Sequence, residues 1–97
     1  MIRSFQDGRT ERLFHRQRVK GLSTDVQRAA LRKLQMIDAA EALHDLSVPP
    51  GNRLEKLKGD RKDQYSIRVN DQWRICFSWA GGNADDVQLI DYHEAPL

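Results

Sequence analysis

Residues 65–79, Tyr65-Ser66-Ile67-Arg68-Val69-Asn70-Asp71-Gln72-Trp73-Arg74-Ile75-Cys76-Phe77-Ser78-Trp79, alternate apolar and polar side chains on either side of a polar break. Tyr65, Ile67 and Val69 occupy every second position, as do Trp73, Ile75, Phe77 and Trp79. A period of two marks a strand with one buried face, so the stretch predicts two strands joined as a hairpin. The same pattern fixes the register. For both apolar sets to share one face, Val69 must oppose Trp73 and Ile67 must oppose Ile75. Asn70-Asp71-Gln72 is then a three-residue loop, a common hairpin length. The intervening pair is Arg68 opposite Arg74, on the face away from the core. A slip of one residue would send the two arginines to different faces.

Downstream, Gly81-Gly82-Asn83 reads as a turn and Val87 to Tyr92 as a final strand. Residues 53–58 form a weaker strand, because Leu54 and Leu57 do not alternate. Upstream, Val48-Pro49-Pro50-Gly51-Asn52 is a connector, since proline lacks the backbone donor and restricts its predecessor. Before it, Val26, Ala30, Leu34 and Ile37 form one helical stripe, opened by Thr24-Asp25-Val26-Gln27 as a capping box and running to about Ala40. Glu41 to Leu46 adds a short turn. An earlier helix is expected from Asp7 or Thr10 through Arg18, closed by Lys20-Gly21. Ile2-Arg3-Ser4-Phe5 reads as a short opening strand. The order is β-α-α-β-β-β, an α+β fold with two N-terminal helices packed on one face of a small, mainly antiparallel sheet.

Ninety-seven residues make one domain, spanning 1–97, with one modest core. That length excludes multidomain enzymes and large cofactor folds. No apolar run approaches a membrane span or a signal-peptide core, so the expected compartment is the cytoplasm with no membrane contact. The single cysteine, Cys76, cannot form an internal disulfide, and His15, His44 and His93 stand apart. Neither metal nor organic cofactor is expected. The formal net charge of +2 hides an uneven spread. Residues 1–20 carry six basic side chains against two acidic, whereas residues 71–97 carry Arg74 alone against five acids. The window 53–74 is basic, holding Arg53, Lys56, Lys58, Arg61, Lys62, Arg68 and Arg74. Such a cluster attracts phosphate, or is a solvated surface.

The arginine pair separates these readings. Like charges facing each other across strands destabilise a sheet, so a retained pair points to an anion, and the planar guanidinium fork suits phosphate. In the structural alternative, acids such as Asp60, Asp63 or Asp91 neutralise it. Acid–base candidates are Asp91, Tyr92 and His93 at the end of the last strand, together with Glu55: histidine titrates near neutrality and tyrosine offers a ring with a polar tip. His15 and His44 read as surface residues and Cys76 as a small filler.

Leu57-Lys58-Gly59-Asp60-Arg61, Tyr65-Ser66-Ile67-Arg68-Val69-Asn70, Trp73-Arg74-Ile75 and the terminal Asp91-Tyr92-His93 together resemble the HigB toxins of the RelE/ParE toxin–antitoxin superfamily. The resemblance covers nearly the whole chain. It implies a ribosome-dependent mRNA endonuclease that inhibits translation and is silenced by a HigA-type helix-turn-helix antitoxin, meeting operator DNA only through that complex. It implies catalytic roles for Arg74, Tyr92, His93, Asp91 and Glu55, and phosphate contacts from Arg68, Lys58 and Lys56. The implied chemistry is metal-independent attack by the RNA 2′-hydroxyl, giving a 2′,3′-cyclic phosphate and a 5′-hydroxyl. Where some members carry a histidine just before Leu-Lys-Gly-Asp, this chain has Glu55-Lys56, which leaves the base open between Glu55 and His93. Two other readings are a non-enzymatic gyrase inhibitor of the ParE type and an RNA-binding module that grips without cutting.

Overall fold

In the computed structural model, which describes residues 1–92, helices α1 (Gly8–Phe14) and α2 (Thr24–Ala39) precede four strands. The strands are β1 (Glu55–Lys56), β2 (Tyr65–Arg68), β3 (Trp73–Ala80) and β4 (Asn83–Asp91), with 3₁₀ turns at Leu43–Leu46, Pro50–Asn52 and Gly59–Arg61. They form one antiparallel sheet in the order β1-β2-β3-β4. This is the α+β layout read from the sequence. Among the described residues, no helix is long and apolar enough to cross a membrane.

The β2–β3 hairpin has the expected register, with Ile67 opposite Ile75 and Arg68 opposite Arg74. Asn70 closes the loop: its Oδ1 accepts from the amides of Gln72 and Trp73, both at 2.8 Å. Gly81 and Gly82 join β3 to β4 with φ of 59° and 79°, the left-handed values that a tight hairpin turn demands. The core lies between the inner sheet face and α2. Ala30, Leu34 and Ile37 are fully buried against Ile67, Ile75, Phe77, Val87 and Leu89.

Three local expectations need correction. Residues 2–5 do not form a regular strand. They meet β4 through single parallel bridges, Ile2 with Ala84 and Phe5 with Val87. A register shift between Cys76 and Ser78 interrupts the β3–β4 ladder, and Asp86 has a positive φ of 54°. The Ser4 hydroxyl accepts the Asp86 amide at 2.8 Å across that irregularity. The first helix ends at Phe14 rather than Arg18, with Arg16 left-handed at φ 64°. Residues 15–18 carry no apolar side chain that could hold another turn on the core. Ser23, not Thr24, caps α2, accepting the Val26 amide at 3.2 Å. Gln27 instead binds the incoming loop, donating to the Leu22 carbonyl and accepting from the Val19 amide, both at 3.0 Å.

Leu34 has no exposed surface and lies at the contact between helix and sheet. Truncation to alanine deletes buried methyl groups and leaves a cavity, so Leu34→Ala is expected to cost about 3 kcal/mol. Equilibrium urea unfolding should show a lower midpoint with an unchanged slope.

Candidate active site

The outer sheet face is defined by the same alternation that builds the core. Ser66, Arg68 and Arg74 share it, and pairing of Glu55 with Ser66 adds Glu55. Ile90 lies opposite Arg74, so Tyr92, two residues on, returns to this side. Its ring centroid is 5.4 Å from the Arg74 guanidinium carbon, a cation–π contact. Arg53, Asn70 and Asp71 complete the rim of a groove of about 340 Å³.

Arg74 is only 5% exposed, an unusual setting for a permanent charge. Its Nε donates to Ser66 Oγ at 2.8 Å, and its Nη2 to the Arg53 carbonyl at 2.7 Å and the Ser66 carbonyl at 3.2 Å. All three acceptors are neutral. Glu55 approaches Nη2 to 3.9 Å, an ion pair without a hydrogen bond. Arg68 pairs with Asp71, whose side chain is 95% exposed. Among the described residues, Asp71 and Glu55, rather than Asp60 or Asp63, form the ion pairs of the arginine pair. Two side chains face each other without cancelling the positive character of the groove.

The Arg53 carbonyl is turned toward Arg74 by a left-handed backbone, φ 44° and ψ 57°, at the end of the turn Pro50–Asn52. Asn52 anchors this turn while fully buried, donating to the Leu46 carbonyl at 3.1 Å and accepting from Lys33 Nζ at 2.6 Å. Burial first, and then the charges of Arg32 and Arg68, hold the Lys33 ammonium below its ordinary pKa. At the far side, the Tyr92 amide donates to the Gln72 carbonyl at 2.6 Å, and Gln72 Nε2 donates to Asp91 Oδ2 at 2.9 Å. The hairpin loop thereby holds the end of β4, and Tyr92 with it, beside Arg74.

The fold thus gathers Glu55, Arg68, Arg74 and Tyr92. Asp91 pairs in register with Trp73, on the other face from Arg74. Lys56 pairs with Tyr65, also on the other face. Lys58 is exposed at the start of the Gly59–Arg61 turn and does not line the groove. His93 lies outside the described residues. Trp73 and Trp79 pack against the core instead of offering an open stacking surface, and Arg9 lies over Trp73 at 5.3 Å. Sequence reading missed Ser66, which strand parity places beside Arg74, and the carbonyl of Arg53, which no side-chain pattern reports.

The HigB-like toxin family, described as the RelE-like toxin of type II toxin-antitoxin system HigB, matches residues 3–93. The chain belongs to this family. It is 46% identical over 68 residues to the Toxin HigB-1 of Vibrio cholerae serotype O1, covering 70% of this chain and 72% of that one. It is 37% identical over 94 residues to the Endoribonuclease HigB of Proteus vulgaris, covering 96% of this chain and all of the relative. Membership of a toxin–antitoxin system gives the HigB-like toxin an antitoxin partner.

Cys76 is fully buried on the outer face of β3. Desolvation pushes its thiol pKa up, partly opposed by Arg61 and Arg74. A folded thiol that ionises less readily than an unfolded one contributes stability that is complete below the unfolded pKa, about 8.5, and declines as pH rises beyond it. Unfolding free energies from about pH 7 to 10 should show this decline, and Cys76→Ala should remove its thiol-dependent part.

Proposed function

We propose that this toxin is an endoribonuclease that cuts mRNA on the translating ribosome, using the 2′-hydroxyl of the RNA as nucleophile. The observation that carries the reading is the state of Arg74. A buried guanidinium held by neutral oxygens keeps its charge available, and among the described residues its Nη1 makes no hydrogen bond. Preorganised donors of this kind act most strongly where charge develops in a transition state. In transesterification, that charge develops on the non-bridging phosphate oxygens.

Removal of the 2′ proton by a base lets the 2′-oxygen bond to phosphorus. The phosphorus–5′-oxygen bond then breaks, and the departing oxygen takes a proton. The products are a 2′,3′-cyclic phosphate and a 5′-hydroxyl. Glu55, a half-exposed carboxylate lining the same groove as Tyr92, is one base; His93 is the other, and it also serves as an acid. Tyr92 supplies a ring for an unstacked base, Arg68 a second guanidinium for phosphate, and Asp91 supports the chain bearing Tyr92. Lys58, exposed beyond the groove, contacts a phosphate further along the RNA. A HigA-type helix-turn-helix antitoxin silences the enzyme, and operator DNA is met only through that complex.

Primer extension on a translated mRNA after brief induction tests the proposal. Wild type should create new 5′ ends, and Arg74→Ala should lower the cleavage rate about 10²–10³-fold, as loss of one transition-state donor does elsewhere. Arg68→Glu should also suppress cleavage, because it places a carboxylate where phosphate binds. Supercoiling defects without new RNA ends would overturn the proposal in favour of gyrase inhibition.

A further inference from the structure

The outer face carries a third guanidinium that the site above does not use. Arg61, in the turn between β1 and β2, lies back over the sheet. Its Nη1 donates to Gln64 Oε1 and its Nη2 to Gln88 Oε1, both at 2.9 Å. Gln88 pairs with Cys76 and so stands on the Arg74 side of the sheet. Its own Nε2 donates to Asp7 Oδ2 at 3.3 Å, which fixes the amide with its oxygen toward Arg61. The Cys76 thiol feels the positive charges of both Arg61 and Arg74 and therefore lies within the field of each.

The neighbours of Arg61 differ from those of the other two arginines. Arg68 pairs with Asp71, and Arg74 has Glu55 at 3.9 Å. Among the described residues, Arg61 makes no ion pair, and its hydrogen-bond acceptors are neutral amides. Two of its five N–H donors are engaged, and a guanidinium retains its fork geometry for phosphate with the rest. The side chain opens on its own groove of about 560 Å³, distinct from that of Arg74 and flanked by Asp60, Lys62 and Asp63. Gln88, which accepts from Arg61, pairs with Cys76, two strand positions or about 7 Å along β3 from Arg74, so both arginines serve the same sheet face.

We infer that Arg61 is a second phosphodiester anchor, holding a backbone phosphate next to the one that Arg74 stabilises. The inference rests on the ribonuclease reading and gives its substrate a direction, from Arg74 diagonally over β3 toward Gln88 on β4. Gln64 and Gln88 hold the guanidinium without cancelling it, so phosphate adds to their bonds instead of displacing a carboxylate. Asp60 and Asp63 together balance Arg61 and Lys62, so the groove has no net charge. Arg61 therefore acts at short range, in contact with phosphate, rather than by long-range steering.

Fluorescence anisotropy of a short single-stranded RNA, 2′-O-methylated so that it cannot be cut, tests this with the full-length toxin across a salt series. Arg61→Gln is expected to weaken binding about tenfold and to reduce the slope of log affinity against log salt by about 0.7, one phosphate contact on a single strand. Arg61→Lys should keep the slope, and Asp63→Asn should tighten binding. Wild-type affinity and slope in Arg61→Gln would overturn the anchor while leaving the ribonuclease reading standing. Failure of wild type to bind RNA at all would overturn the anchor, whereas the ribonuclease reading stands or falls on new RNA ends in primer extension. Should Arg61→Gln not fold, Asp63→Asn decides: unchanged affinity would count against the anchor, and tighter binding supports it.

Discussion

A guanidinium withdrawn from water must find acceptors for its donors, because an uncompensated buried ion costs several kcal/mol. Arg74 meets that demand with oxygens drawn from separate parts of the chain. Ser66 is in place because β2 and β3 pair in one register. The Arg53 carbonyl is in place because a left-handed turn aims it inward, and that turn is pinned by Asn52 to Lys33 of α2 and to the Leu46 carbonyl. Tyr92 stands alongside because Gln72 grips the end of β4. Helical layer, connector and hairpin thus all bear on one side chain.

The choice of neutral acceptors also sets the electrostatics. A carboxylate in a tight bidentate pair would orient Arg74 equally well but would occupy the fork that phosphate needs. Hydroxyl and carbonyl oxygens orient it and leave its charge in place. The neighbouring Arg68–Asp71 pair is of another kind, with an almost fully exposed carboxylate. Exposed pairs contribute about 0–1 kcal/mol, so Arg68 can exchange Asp71 for a phosphate at little cost. One arginine is fixed and the other adjustable, which suits a site that must both admit RNA and hold its transition state.

What the sequence disclosed, and what it withheld, follows from the range of the interactions. The alternation at 65–79 has a period of two, and a one-residue slip would have exposed Ile67 and Ile75; the hairpin and the arginine pair were therefore legible. The stripe of α2 was legible for the same reason. The end of α1 was not, because residues 15–18 lack an apolar contact whose absence only the packed core makes decisive. Lys56 and Asp91 looked like members of the site from proximity in sequence, yet each sits one position from a residue that does face it, Glu55 and Tyr92. The Arg53 carbonyl belongs to the backbone of an irregular turn, and side-chain patterns carry no information about it.

The bridges of residues 2–5 with β4, noted above as a strand that failed to form, have a consequence for solubility. An exposed strand edge with unpaired amides and carbonyls invites another chain to add itself. Here one border of the sheet is met at Ala84 and Val87 by the N-terminal segment, and the other is β1, two residues long and bearing exposed Glu55 and Lys56. Neither border offers a long, flat, apolar template. These short, guarded borders oppose self-association of the chain through its sheet.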